Sequence, residues 1–171
     1  MKKVLAVIDM QNDFITGPLG SKGAQDIVPV VRKKIEEFEG DILVTMDTHD
    51  EDYLETMEGK NLPVKHCVAN TDGWEIEPSL KLLLIEKGAA AFCKSTFGST
   101  RLLNALKAIN PSSIELCGLV SSICVISNAL LIKTYFPEAE IVVDKNCTAG
   151  VTEEDNNAAL KVMEMCQIKL I

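Results

Sequence analysis

A cysteine, an aspartate and a lysine carry one kind of chemistry in this sequence, and two histidines offer another. Cys124 lies in the stretch Gly118-Leu119-Val120-Ser121-Ser122-Ile123-Cys124-Val125. An apolar run, Ile114 to Cys117, leads into it, and an apolar, helix-like run, Val125 to Tyr135, leaves it. A strand that turns at a glycine straight into a helix sets its first helical residues at a positive dipole end. A thiol there is expected to have a lowered pKa and a more nucleophilic thiolate. The competing account makes Cys124 a small buried apolar residue, as most free cysteines are. A cysteine nucleophile also needs a base, commonly histidine, and the chain has only His49 and His66. Asp9 can serve instead, provided that a fixed cation stabilises the thiolate, and Lys94 is placed to be that cation.

The second constellation is Asp47-Thr48-His49 with His66 downstream. Asp-x-His at a strand end puts both side chains on one side, within reach of one divalent ion. A later loop histidine can close the set. Zinc is the first expectation, and iron(II) and manganese(II) also accept such ligands. A lone Asp-x-His is a weak signal. Both histidines of the chain falling in one loop is a stronger one.

The elements that must position these residues follow from apolar periodicity. Lys3 to Ile8 reads as a strand covered on both faces, and Asp41 to Met46 as a second. Between them a helix is expected from about Asp26 to Phe38, with Gly40 as its stop. A polar stretch, Asp47 to Gly73, is long for a compact domain and marks itself as functional. Pro78 to Glu86 is a short helix, Ala89 to Cys93 a third strand, and Ser99 to Ile109 a helix capped near Ser99. Ser113 to Cys117 is the fourth strand, Ser122 to Tyr135 the long helix and Ala139 to Val143 the fifth strand. Thr152 caps a last helix running to about Cys166, and Ile168 to Ile171 is a short sixth strand. Strands alternating with helices predict one domain, residues 1–171: a three-layer α/β/α sandwich around a mostly parallel sheet of about six strands. In such sheets sites form at the carboxyl ends of strands. Asp9, Asp47, Lys94 and Gly118 stand at the ends of the first four.

Composition removes several classes of function. The 171 residues carry a formal net charge of −8. No basic cluster exists beyond Arg32-Lys33-Lys34 on a helix face, which argues against nucleic acid or an anionic membrane as partner. Asp9 interrupts the apolar N-terminal run too soon for a signal peptide, and the polar residues between Ile114 and Ile132 fit a buried strand and helix better than a membrane span. Six cysteines without CxxC spacing indicate reduced thiols and a cytoplasmic protein.

Taken in order, these residues resemble the isochorismatase-like cysteine hydrolases, and within them the nicotinamidase/pyrazinamidase branch. Asp9-Met10-Gln11-Asn12-Asp13-Phe14 matches the family's DxQxDF opening. Lys94 stands in Lys94-Ser95-Thr96-Phe97-Gly98-Ser99-Thr100, a loose match to its lysine segment, and Gly118 to Val125 matches its glycine-to-cysteine turn. Asp47-Thr48-His49 and Pro63-Val64-Lys65-His66-Cys67-Val68 match the D-x-H and P-x-x-H-C-V elements of the metal-binding branch.

The resemblance implies an Asp9–Lys94–Cys124 triad. It also implies a cis peptide at Leu119–Val120 that turns the N–H groups of Val120 and Cys124 into an oxyanion hole. Phe14 would contact a substrate ring beside Val120, and Glu58, ahead of Glu55, would complete the metal ligands Asp47, His49 and His66. A small amide would be hydrolysed through a cysteine thioester, by a homo-oligomer of two or more chains. Departures are visible. Leu62, not tryptophan, precedes Pro63, Trp74 lies beyond His66, the third histidine of some members is missing, and Ser122 stands where the family often has aspartate. Alternatives are a related hydrolase of carbamoyl or ureido compounds, an isochorismatase, and a non-catalytic family member serving as a binding module. The histidines oppose the first, Cys124 the second, and an intact triad the third.

Overall fold

The computed structural model describes residues 2–171. Its strands and helices follow in the order β1 (Lys3–Ile8), α1 (Asn12–Ile15), α2 (Lys22–Glu37), β2 (Asp41–Asp47), α3 (Met57–Asn61), α4 (Pro78–Glu86), β3 (Ala90–Lys94), α5 (Thr100–Ile109), β4 (Ser113–Leu119), α6 (Ile126–Tyr135), β5 (Glu140–Ala149), α7 (Glu153–Met165) and β6 (Lys169–Leu170). A 3-10 turn, Tyr53–Glu55, precedes α3, and a wide π turn, Ser121–Val125, opens the helix that continues as α6.

The six strands form one sheet in the order β3-β2-β1-β4-β5-β6, and every neighbouring pair is parallel. The chain winds outward from β1 to one edge, then returns to β4 on the other side of β1. The carboxyl ends of β1 and β4 therefore flank the point where strand order reverses, and crevices form there in open parallel sheets. Asp9 follows β1 and Cys124 follows β4.

Side chains along β1 alternate between two buried faces, as the pleat requires. Leu5 and Val7 pack against Ile27, Val31 and Ile35 of α2 and against Leu80, Leu83 and Leu84 of α4. Val4, Ala6 and Ile8 pack on the other face with Leu102 and Leu106 of α5, Ala129 and Ile132 of α6, and Leu160 and Met163 of α7. Helices on both faces make the expected three layers, and both faces of β1 are dry.

Several boundaries differ from the sequence reading. Helix α2 starts at Lys22, four residues before Asp26, because Ser21 caps it by accepting the Ala24 N–H at 3.0 Å. Pro29 then sits inside the helix, and the buried stripe of Ala24, Ile27, Val31 and Ile35 outweighs its missing N–H. Strand β5 does not stop at Val143. Its pairing with β4 jumps from Leu116↔Val143 to Gly118↔Thr148, so Asp144 to Cys147 bulge out and the strand resumes to Ala149. The long helix begins as the π turn rather than at Ser122. Strands β2 and β3 also run one residue further than expected, to Asp47 and Lys94.

Gly118 is required twice over. Its φ of +114° is open to glycine, and a Cβ there would come within 2.1 Å of the Ile8 carbonyl oxygen on β1. The close approach lets the turn after β4 lie against the end of β1. Among the described residues no helix is long and apolar enough to cross a membrane.

Candidate active site

Each residue singled out at a strand end reaches the same crevice. Asp9 leaves β1 with a left-handed φ of +47°, a conformation that asparagine and aspartate tolerate better than most residues. Its carboxylate is fully buried. Oδ1 accepts a 2.6 Å hydrogen bond from Thr45 Oγ1 on β2, and Oδ2 lies 2.7 Å from Lys94 Nζ. Oδ2 has no well-aligned hydrogen bond. Lys94 Nζ is also 3.5 Å from Cys124 Sγ and 3.1 Å from Asp47 Oδ1. The ammonium thus touches the thiol and two carboxylates, and its relative exposure is only 7%.

The Leu119–Val120 peptide is cis, as the resemblance implied. The Val120 carbonyl accepts from Ile123 N at 3.0 Å and Val125 N at 3.1 Å, which closes the π turn and seats Cys124 within it. Asn128, fully buried, ties this turn to the loop after β3. Its Nδ2 donates to Cys124 O and Phe97 O, and its Oδ1 accepts from Ser99 N.

Burial dominates the titration of this cluster. It pushes the Cys124 thiol well above its ordinary value, the Asp9 charge adds to the rise, and Lys94 opposes it. The lowered thiol pKa expected from the helix terminus is therefore corrected. Desolvation and a neighbouring anion outweigh the pull of the ammonium. Asp9 is also raised, by burial first, against the pull of Lys94. Burial works to lower Lys94, but Asp9, Cys124 and Asp47 together raise it and keep it protonated. The arrangement is a neutral thiol beside a carboxylate of raised basicity, with a fixed cation between them.

The second cluster lies on the other side of Asp47. His49 Nε2 is 2.9 Å from Asp47 Oδ2 and 3.7 Å from Glu58 Oε1. His66 Nε2 is 3.5 Å from Asp47 Oδ2 and 3.8 Å from Glu58 Oε1. One donor atom from each of the four falls within 4.8 Å of the other three. Tetrahedral zinc with bonds of about 2.0–2.1 Å sets its ligand atoms roughly 3.4 Å apart, so the set fits a divalent ion. The tautomer fits as well. His66 Nδ1 is 2.8 Å from the Val64 carbonyl and donates to it, leaving Nε2 as the free lone pair.

Two segments zip to hold the histidines. His49 N donates to Cys67 O and Ala69 N to His49 O, each at 2.9 Å, in a short parallel bridge. Tyr53, fully buried, packs its ring on both histidines at 4.6 and 4.9 Å between centroids and donates its hydroxyl to Leu62 O. Burial raises Asp47, but the His49 and His66 hydrogen bonds and the Lys94 charge outweigh it and hold Asp47 below the usual carboxylate range.

A cavity of about 320 Å³ opens between the clusters. Cys124, Asp47, Glu58 and His66 contribute its polar wall, and Phe14, Leu19, Leu62, Phe97, Val120 and Ile123 line much of the rest. Phe14 packs 5.5 Å from the His66 ring, centroid to centroid. His49 belongs to the ligand set without lining this cavity, and Glu55 is not among the four candidate ligands. Sequence reasoning missed Thr45, which looked like strand interior. It also missed Leu19, Leu62, Phe97 and Ile123 as cavity walls, since scattered apolar residues carry no motif.

A parallel sheet that gathers a thiol, a carboxylate and an ammonium at its switch point, beside a candidate metal site, defines a doubly wound sandwich hydrolase. The chain belongs to the isochorismatase family, whose isochorismatase domain model matches residues 3–171. It is 27% identical to the nicotinamidase/pyrazinamidase of Mycobacterium tuberculosis over 184 aligned residues, covering 99% of this chain and 98% of that protein. Among solved structures, the nicotinamidase/pyrazinamidase of Bacillus subtilis superposes with a TM-score of 0.84 at 25% identity, covering 99% of each chain. The pyrazinamidase of Pyrococcus horikoshii, solved in complex with zinc, gives 0.81 at 25% identity, covering 100% of this chain and 99% of that one.

Proposed function

We propose that this chain is a metal-assisted amidohydrolase that converts nicotinamide, or a similar small aromatic carboxamide such as pyrazinamide, to the acid and ammonia. The observation that carries this reading is the shared cavity. Cys124 opens onto the same 320 Å³ apolar space as Asp47, Glu58 and His66, with Phe14 as an aromatic wall. Two similar solved structures at 25% identity carry pyrazinamidase in their names, one of them with zinc.

Asp9 takes the proton of the Cys124 thiol as sulfur attacks the carboxamide carbon. Lys94 stabilises the negative charge that moves between sulfur and carboxylate. The N–H groups of Val120 and Cys124 hold the carbonyl oxygen as it becomes an oxyanion. The C–N bond then breaks, Asp9 returns the proton to nitrogen, and ammonia leaves. Water attacks the thioester, giving one proton to Asp9, and the C–S bond breaks to release the acid. That proton passes back to sulfur. Asp47, His49, Glu58 and His66 hold the divalent ion, zinc before iron(II) or manganese(II), which when bound supplies a Lewis acid to the cavity. Residues 1–171 act as one domain in a homo-oligomer, and six free thiols suit a reducing cytoplasm.

The test is ammonia release from nicotinamide and from pyrazinamide by the purified protein, with and without a chelator, beside Cys124→Ala. Turnover that falls by about 10³-fold or more in the variant, and is lost to the chelator, supports the reading. A metal-loaded protein that leaves both carboxamides intact overturns the assigned substrate.

A further inference from the structure

The DxQxDF segment supplies Asp9 and Phe14, and its other two polar residues, Gln11 and Asp13, point away from any role in the bond-breaking chemistry. Gln11 is fully buried. Its Oε1 accepts from the Asp47 N–H at 2.7 Å, and its Nε2 donates to the Asp47 carbonyl at 2.8 Å. The same Nε2 donates to the Trp74 carbonyl at 2.8 Å. The reason lies in the sheet. Strand β1 pairs with β2 as far as Ile8↔Thr45, and Asp9 N still bonds Thr45 O, but then the chain turns out of the ladder. Asp47, two residues beyond Thr45, faces the same side with no strand opposite it. The Gln11 side-chain amide fills that gap with the donor and acceptor that a peptide would have offered.

Asp13 grips the other ligand segment. Its Oδ2 accepts the Cys67 N–H at 2.7 Å, and that N–H belongs to the peptide joining His66 to Cys67. Cys67 is left-handed, at φ +46°, so this peptide needs an outside partner to fix it. The carboxylate itself sits in a fitted cradle. A Cβ at Gly73 would meet it at 2.2–2.4 Å, and one at Gly17 would meet its Oδ1 at 2.5 Å.

We propose that Gln11 and Asp13 are positioning residues for the metal centre: from one turn they fix the backbones of Asp47 and of His66, and so set the ligand geometry. This inference rests on the reading of Asp47 and His66 as metal ligands. Outer-shell partners of this kind alter metal affinity without touching the ion.

The experiment is titration of the metal-free full-length protein with zinc, and separately with cobalt, whose visible spectrum reports ligand geometry. Gln11→Met keeps the volume and removes both hydrogen bonds to Asp47. Asp13→Ala removes the acceptor, and Asp13→Asn keeps one. Zinc affinity is expected to fall about 10–100-fold in Gln11→Met and Asp13→Ala, with a changed cobalt spectrum. Asp13→Asn, whose Oδ1 still accepts from Cys67, restores most of the affinity. Folded variants with wild-type zinc affinity and cobalt spectrum overturn the inference, and the Asp13 pair decides it should Gln11→Met not fold. A wild type that takes up no zinc overturns the metal reading beneath it.

Discussion

Lys94 Nζ lies 3.1 Å from Asp47 Oδ1, while Asp47 Oδ2 faces His49 and His66 at 2.9 and 3.5 Å. One carboxylate therefore serves two clusters, as counter-ion to the ammonium beside the thiol and as candidate ligand to a metal. The two halves of the site are electrostatically joined through it. Asp47→Asn keeps the shape and removes the charge. Zinc affinity should fall by about 100-fold or more, as befits a direct ligand. Amide turnover should fall with it and should not recover fully at saturating zinc, because Lys94 has also lost a partner. Calorimetric titration and ammonia release at high zinc check both halves.

Asp9 titrates above its ordinary 3.8, by burial first, with Lys94 pulling it down. A base must be deprotonated to act, so the acid limb of kcat/KM should lie above pH 3.8 and activity should be lost as pH falls through it. Lys94→Met removes the pull. The limb of the residual activity should then move to higher pH, by about one unit or more. A limb that stays in place, or moves to lower pH, would show that Asp9 is not the base.

Much of this site was legible in the sequence because strand ends and a glycine turn leave residue-level marks. Asp9, Asp47, Lys94 and Gly118 each close an apolar run, and the parallel sheet brings those ends together whatever lies between. The cavity walls were not legible. Leu19, Leu62, Phe97 and Ile123 come from four separate segments, and only the folded chain makes them neighbours. The bulge in β5 was hidden because Asp144, Lys145 and Asn146 look like a loop, whereas pairing with β4 resumes beyond the bulge at Thr148 and Ala149. Nor does the helix terminus announce the raised thiol. The burial that raises it is a property of packing, which residue types at fixed spacing do not record.

Phe14 is 6% exposed and lines the cavity beside His66. If an aromatic ring binds there, Phe14→Ala removes a stacking wall without touching the triad. KM for nicotinamide should rise about tenfold, the equivalent of roughly 1–1.5 kcal/mol, with a smaller change in kcat. Phe14→Leu should fall between. An equal loss in kcat alone would make Phe14 a structural residue of the core rather than part of the ring pocket.

Lys34 departs from the solvated helix face that Arg32-Lys33-Lys34 suggests. Arg32 and Lys33 pair with Glu36 and Glu37 one turn on, whereas Lys34 turns onto the sheet. There it contacts Glu115 of β4 and lies 2.7 Å from Asp144 Oδ2 in the β5 bulge, all three side chains less than a fifth exposed. Burial works to lower Lys34, but bonds to Asp144 and Glu115 hold it above its ordinary 10.5. Burial likewise works to raise Asp144, and Lys34 holds it below 3.8. The signs fix the window. A raised lysine gives stability that is present below pH 10.5 and lost as pH rises through its folded value. A lowered aspartate gives stability that is present above pH 3.8 and lost as pH falls. Lys34→Met strands two carboxylates at the sheet, a loss of about 2 kcal/mol after allowing for partial exposure. At roughly 2–4 °C per kcal/mol for a chain of this size, Tm at pH 7 should drop by about 4–8 °C. The drop should shrink at pH 4, where Asp144, no longer held down by Lys34, takes up a proton in the variant. A Tm unchanged at pH 7 would mean that the three charges are solvated rather than part of the sheet's packing.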